Sequence, residues 1–491
     1  MSPVIALLIE NLHFYRKFWT MKDIVLRSLG AAETVTGSKH LLQTPHFNLL
    51  VDCGLFQGIK ELRLQNWNSL AVNTTDINAI ILTHAHLDHC GYIPLLVKNG
   101  FKGKIYMSAP TASLAELILL DSAKLQEEDA ANANRHQYSR HHPAEPLYTE
   151  ADARRAFRYF VVCPQDEPIT LTEHLQFRFQ LSGHIIGACS AEVTCYGKKI
   201  VFSGDIGRNH SAVLPPPDYF THADFVVMES TYGDRLHGNE DPYQELEYWI
   251  NDTLKRGGNI IIPSFAVGRA QELIYMLHVL RLQKRIPFDL PIIMDSPMAA
   301  SATEIVVRYA DDYTTISKSE WMKILRHIKV NREYSNTGKF IADKRSKIVV
   351  AASGMLTGGR VLEYLKHYVV DSRNTVLIIG FQADGTRGRA LLNKSHELKI
   401  HGRYFPVRAK IVELTGLSAH ADQTELIDWV RKFGKGLKQI FLVHGEPSAQ
   451  QALRVKISHE LHVPVKILKQ NEDVLLFSIK EPIIEETPNL K

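Results

Sequence analysis

Cysteine is scarce in this chain. Cys53, Cys90, Cys163, Cys189 and Cys195 are the only five among 491 residues, they show no CxxC spacing, and their number is odd. A disulfide framework is therefore not expected, and a reducing cytoplasm is the natural setting. A long apolar run is missing as well. The stretch Val4 to Ile9 is cut by Glu10 and has no small-residue cleavage pattern, so it fits neither a signal peptide nor a bilayer-spanning helix. Residues 1–20 read as an extension with no assigned function, and no membrane association is expected. Nor is there an excess of charge: 57 Lys and Arg against 53 Asp and Glu leave +4, with a pI near 8.6. That balance permits a polyanionic partner without demanding one. Internal repeats and low-complexity tracts are absent too. What remains is ordinary globular composition, 45% hydrophobic and 22% charged, long enough for two or three domains.

From Met21 to about Asp205 the pattern is β-rich, with short apolar runs such as Asn48 to Val51, Gly103 to Tyr106 and Lys199 to Phe202. Helical spacing interrupts it over Thr111 to Ala133 and again over Thr149 to Phe160. The Arg135, His136, His141 and His142 cluster between them reads as a solvated polar loop. Three prolines, Pro215 to Pro217, mark a boundary, since they can continue neither a central strand nor a helix interior. Residues 224–390 then alternate strand, small-residue turn and helix, beginning with Phe225 to Met228, which implies a parallel α/β sheet with ligands at the strands' carboxyl ends. Two further strand and helix units, at Lys410 to Leu414 and Gln439 to Val443, close the chain.

Chemistry concentrates in Thr83-His84-Ala85-His86-Leu87-Asp88-His89, directly after the apolar run Ala79 to Leu82. A buried strand delivering imidazoles and a carboxylate at its end is the ligand supply of a hydrolytic metal site. His84 and His86 can face one metal while Asp88 and His89 face a second. Completing both requires distant ligands, and His184, Asp205 and His444 each follow an apolar run beside a glycine.

In order, Asp52, the His84/His86/Asp88/His89 run, His184 and Asp205 resemble the motifs of the metallo-β-lactamase superfamily, over nearly the whole chain after Met21. Glu229, His420 and His444 resemble the three extra motifs of its β-CASP branch of nucleic-acid nucleases. Val35 to Ser38, Pro263 to Arg269, Ala352 to Met355 and Gly380 to Thr386 look like that branch's RNA-processing members, namely the cleavage and polyadenylation endonuclease and its prokaryotic relatives. In that branch the last motif is histidine in RNA members and apolar in most DNA-repair members; here it is His444. The resemblance implies an αββα metallo-β-lactamase sandwich over residues 21–212 and 411–491. A parallel α/β β-CASP domain would be inserted at 213–410, with the active site in the cleft between them.

It further implies two zinc ions, one held by His84, His86 and His184, the other by Asp88, His89 and His444, with Asp205 bridging. Such a pair shares a hydroxide nucleophile and clamps both oxygens of an in-line displacement. Asp52 fits a buried carboxylate that fixes a ligand histidine's tautomer. His420 is free to protonate the departing sugar oxygen, with Glu229 orienting it and raising its pKa. Ser264, Arg269, Ser353 and Gly354 lie in turns at helix starts and are the candidate phosphate contacts, although Arg269 reads equally well as a solvated first-turn arginine. Tyr232 and Phe265 are open to base stacking or to plain packing.

The expected activity is hydrolysis of single-stranded RNA, endonucleolytic, from the 5′ end, or both. A DNA nuclease and a small-molecule hydrolase of the same superfamily are the competing readings. The large insert argues against the second, and a non-catalytic scaffold is disfavoured because every ligand position is filled. Homodimers are common among such proteins, yet no stretch identifies an interface.

Overall fold

The computed structural model describes residues 19–137, 141–238, 241–380, 382, 383 and 385–482; the apolar stretch at Val4 to Ile9 lies outside them. Two seven-stranded sheets form the centre. The first runs in the order Asp473–Pro482, Trp19–Gly30, Lys39–Gln43, Asn48–Val51, Ala79–Ile81, Lys104–Met107, Phe160–Val162. The second runs Val465–Ile467, Gln439–Leu442, Phe225–Met228, Lys198–Phe202, Cys189–Cys195, Leu175–Leu181, Ile169–Thr172. Because successive strand side chains point to opposite faces, each short apolar strand supplies two cores. Leu49, Val51 and Ile81 meet Phe177, Val193, Phe202 and Phe441 between the sheets. Leu50, Ile80 and Ile105 face outward onto Leu114 and Leu119 of the long helix Ala109–His136. On the far side Val201, Val226 and Ile440 pack against Trp429 of Gln423–Arg431 and Leu453 of Pro447–Leu461. This is the αββα sandwich.

A third sheet of six strands is wholly parallel, in the order Lys329–Asn331, Ile292–Asp295, Ile348–Ala351, Ile260–Pro263, Thr375–Ile379, Lys410–Leu414. Its four inner strands are near-continuous apolar runs because both faces are covered. Ile260, Ile262 and Ile292 meet Leu273 and Leu277 of the helix Arg269–Leu282, and Ile261, Val349 and Val376 meet Val361 and Leu365 of Val361–Tyr368.

Several boundaries differ from expectation. Phe225–Met228 belongs to the second sheet, in parallel register with Lys198–Phe202 and Gln439–Leu442, so the change of sheet comes well after the three prolines. Lys410–Leu414 is the edge strand of the third sheet, paired with Thr375–Ile379, so the return to the sandwich comes later than residue 411. A short apolar strand with parallel partners reads alike in either sheet, and its partner is settled by contacts far along the chain. The first strand begins at Trp19. Thr149 and Asp152 form a capping box, but the helix ends at Ala156 and Phe160–Val162 is an edge strand. Arg135 and His136 complete the long helix and do not lie in a loop. No helix among the described residues is long and apolar enough to cross a membrane.

Candidate active site

The predicted ligands all follow the carboxyl ends of strands. His84 to His89 follow Ala79–Ile81, His184 follows Leu175–Leu181, Asp205 follows Lys198–Phe202, Glu229 follows Phe225–Met228, and His444 follows Gln439–Leu442. Close backbone approach makes this convergence possible. A Cβ on Gly54 would lie 1.6 Å from the Asp88 carbonyl oxygen, so only glycine lets the Asp52 turn nest against the histidine turn. His444 itself sits in the left-handed region at φ 49°. Its amide donates to Ala31 O at 2.7 Å, and its carbonyl accepts from the Ser230 amide at 3.1 Å. A non-glycine residue held this way is strain that the surrounding contacts must overcome.

Two groups of donor atoms result. His86 Nδ1 lies 3.1 Å from both His84 Nε2 and His184 Nε2, and Asp205 Oδ2 lies 3.4 Å from each of those two Nε2 atoms. In the second group His89 Nε2 is 3.2 Å from His444 Nε2, which is 3.4 Å from Asp88 Oδ2, and Asp205 Oδ1 is 3.3 Å from His89 Nε2. Zinc held tetrahedrally at about 2.0–2.1 Å spaces its ligand atoms by about 3.3 Å, and the separations just given match that spacing. Asp205 turns Oδ2 to the first group and Oδ1 to His89 of the second. Its Oδ1 is buried without a hydrogen-bond donor among the described residues, a position that a cation would satisfy. The donor set therefore fits metal.

Four of the imidazoles have their second nitrogen fixed, which aims the other at the metal. Asp52, itself at φ 61°, accepts from the Thr83 amide at 2.8 Å, the Thr83 hydroxyl at 2.9 Å and His89 Nδ1 at 2.7 Å. Since that hydroxyl donates to Asp52, its lone pair is left to accept from His84 Nδ1 at 3.1 Å. His184 Nδ1 donates to the Ala419 carbonyl at 3.2 Å, and His444 Nδ1 meets the Thr231 hydroxyl at 3.1 Å. Burial pushes His86 down to about 3 and holds His184 well below the usual histidine range, so both rest in the neutral form that binds metal. Thr83, Thr231 and Ala419 were not anticipated. Thr83 adjoins the histidine run, but nothing local ties Thr231 to a residue 213 positions away.

His420 stands beside these groups. Its Nδ1 lies 3.2 and 3.1 Å from the two oxygens of Glu229, which is buried and also accepts from the Ile206 amide at 2.5 Å. Burial opposes a charged His420, but the Glu229 charge and hydrogen bond outweigh it and raise the histidine's pKa.

The expected phosphate contacts fare differently. Arg269 is only 7% exposed; it pairs with Glu272 and donates from Nη1 to the carbonyls of Leu417 and Ser418, 3.2 Å each. It fastens the loop before His420 and is not solvated, because a guanidinium with carbonyl and carboxylate partners within reach folds inward. Ser264 is buried, its hydroxyl turned onto the Phe265 carbonyl. Ser353 accepts from the Thr357 and Gly358 amides at 3.0 and 3.2 Å, shaping its own turn. A Cβ on Gly354 would meet Phe265 at 2.7 Å, which leaves Phe265 packed at that glycine. Tyr232 is buried, its ring edge-on to His420.

Comparison with known proteins identifies the domains. Residues 37–249 match the metallo-beta-lactamase superfamily, residues 270–391 the Beta-Casp domain, and residues 404–468 the Zn-dependent metallo-hydrolase RNA specificity domain. The chain is 34% identical over 442 residues to ribonuclease TTHA0252 of Thermus thermophilus, covering 86% of this chain and 94% of that one. It is 30% identical over 456 residues to the transcription termination factor FttA of Methanocaldococcus jannaschii, covering 87% and 69%. An RNase J-like protein from the same archaeon is 29% identical, with 90% and 97% covered. A solved structure of a protein of unknown function from Enterococcus faecalis V583 superposes with a TM-score of 0.52 at 12% identity, over 92% of this chain and all of that one, a likeness of fold alone.

Proposed function

The chain belongs to the β-CASP branch of the metallo-β-lactamase superfamily, and from that premise we propose that it is a zinc-dependent ribonuclease hydrolysing phosphodiester bonds in single-stranded RNA. The observation that carries this reading is Asp205, whose Oδ2 faces His84 and His184 while its Oδ1 faces His89. His84, His86 and His184 would hold one zinc ion and Asp88, His89 and His444 the other. When bound, such a pair supplies Lewis-acid charge and acidifies a water for in-line attack at phosphorus.

The protein's own groups complete the chemistry. Asp52, Thr83, Thr231 and the Ala419 carbonyl keep the histidine donors aimed. Glu229 binds His420 at Nδ1, which leaves Nε2 to give a proton to the departing sugar oxygen. Five free, buried cysteines suit work in the reducing cytoplasm. The match to an RNA specificity domain at 404–468 spans His420 and His444, and supports RNA over DNA.

The test is incubation with end-labelled single-stranded RNA and DNA of one sequence, each bearing 5′-phosphate or 5′-hydroxyl, with zinc measured on the same preparation. Two zinc ions per chain and chelator-sensitive cutting of RNA are expected, and product lengths assign endo or 5′-exo action. Cutting of DNA with RNA left intact, or no cutting by zinc-loaded protein, would overturn the reading.

A further inference from the structure

The loop that delivers His420 is fastened at five consecutive carbonyls. Gly416 O accepts from Arg208 Nη1 at 2.9 Å, Leu417 O and Ser418 O from Arg269, Ala419 O from His184, and His420 O from His237 Nε2 at 2.9 Å. Only the last of these bonds takes the carbonyl of His420 itself, whose amide donates to the Ser418 hydroxyl at 3.2 Å. His237 comes from the segment after Phe225–Met228, and that segment is zipped to the loop. The His237 amide donates to Asp422 Oδ2 at 3.0 Å, Gln423 N donates to Arg235 O at 3.1 Å, and Gln423 Nε2 donates to Gly233 O at 2.6 Å. Tyr232 stands edge-on to both imidazoles, 5.4 Å from His237 and 6.0 Å from His420 between ring centroids.

A carbonyl can only accept, so His237 must carry its proton on Nε2. Burial, and then Arg208, lower its pKa and keep the ring neutral, consistent with a fixed donor. With Nε2 engaged by a carbonyl, His237 is not placed to exchange a proton with substrate. What it controls is where the His420 backbone sits relative to Glu229 and to the Asp205 carboxylate, whose Oδ2 is 4.0 Å from His420 Nδ1.

We propose that His237 is a positioning residue for the general acid, holding His420 in register with the metal ligands through the His420 carbonyl. This rests on the reading of His420 as the acid of an RNA phosphodiesterase. A displacement of about 1 Å in a catalytic group costs up to about 10²-fold in rate. The loss should fall on the step that needs a proton.

The experiment compares wild type, H237A and H237Q on RNA and on bis(p-nitrophenyl) phosphate, whose leaving group needs no protonation, with zinc content measured for each. H237A should lower kcat on RNA roughly 10- to 100-fold with KM nearly unchanged, and at least tenfold more than it lowers hydrolysis of the nitrophenyl diester, with two zinc ions retained. H237Q restores a neutral N–H donor and should recover most of that loss. Should the alanine variant not fold, the glutamine variant carries the test: kcat on RNA within a few-fold of wild type is expected. Unchanged kcat in H237A, equal losses on the two substrates, loss of zinc, or no rescue by a folded H237Q would each overturn the proposal. Failure of the wild type to cut RNA would instead remove the proposed function on which it rests.

Discussion

The histidine turn and the loop bearing His420 face the same carboxylate, Asp205, yet they are built in contrary ways. Thr83 to His89 are placed by their own neighbourhood. The buried strand Ala79–Ile81 aims them, Gly54 lets the adjacent turn close on Asp88, and Asp52 grips Thr83 and His89 together. By contrast, the His420 loop owes its shape to side chains that arrive from elsewhere: Arg208 and His184 from the sandwich, His237 from the segment after Phe225–Met228, and Arg269 from the helix beside the third sheet. A metal site needs ligand atoms fixed to a fraction of an ångström, and short covalent spacing secures that with little conformational entropy. The acid only has to be in register with that site. Its placement through long-range bonds ties it to the insert by Arg269 and to the first donor group by His184.

The comparison breaks most decisively at its shared member. Asp205→Ala removes an oxygen from both donor groups, so zinc content should fall by at least one ion per chain and RNA cleavage should drop beyond the roughly 10²- to 10⁴-fold ascribed to a general acid. Full zinc occupancy in that variant would mean that the two groups do not share a ligand. Next comes His420→Ala, where both zinc ions should stay while turnover of RNA falls about 10²- to 10⁴-fold; an unaffected rate would locate the acid elsewhere. Asp52→Asn is gentler. The amide keeps an oxygen for the Thr83 amide, but His89 loses its anionic partner, and metal affinity should weaken roughly 10- to 100-fold in a competition titration with a chelator. Unaltered affinity would show that Thr83 alone suffices to orient the histidines.

How far each region can be read from sequence follows the same division. His84 to His89 lie within six positions, so their type and spacing suffice to announce ligands, and His184, Asp205 and His444 are recognisable as strand-end residues beside glycines. The pairing of Glu229 with His420 spans 191 positions and is legible only through resemblance to a family. Contacts between distant loops leave no local mark, so the roles of Thr231 and His237 are not legible in the sequence. Phe225–Met228 was placed with the wrong sheet for a related reason: a run of buried β-branched and apolar residues states that a strand is covered on both faces, but not which strands lie beside it. The burial of Arg269 is not legible locally, because it depends on Glu272 one turn along and on carbonyls some 150 positions away, and exposure is a tertiary property.

Arg269 also supplies the finest test of the contrast. A guanidinium on an RNA phosphate displaces a counterion, so its removal lowers the slope of log K against log salt concentration by about one. A guanidinium that only holds the Leu417 and Ser418 carbonyls leaves that slope alone and acts on catalysis through His420. Arg269→Gln retains N–H donors but loses the charge that faces Glu272. Its RNA affinity, measured by equilibrium titration with a chelator present to stop cleavage, should therefore show the wild-type salt dependence, with kcat reduced by no more than about tenfold, well inside the range of a misplaced catalytic group. A slope lower by one with kcat intact would return Arg269 to the phosphate role. It would also mean that the acid loop holds its shape without the insert, which would erase the difference between the two walls of the site.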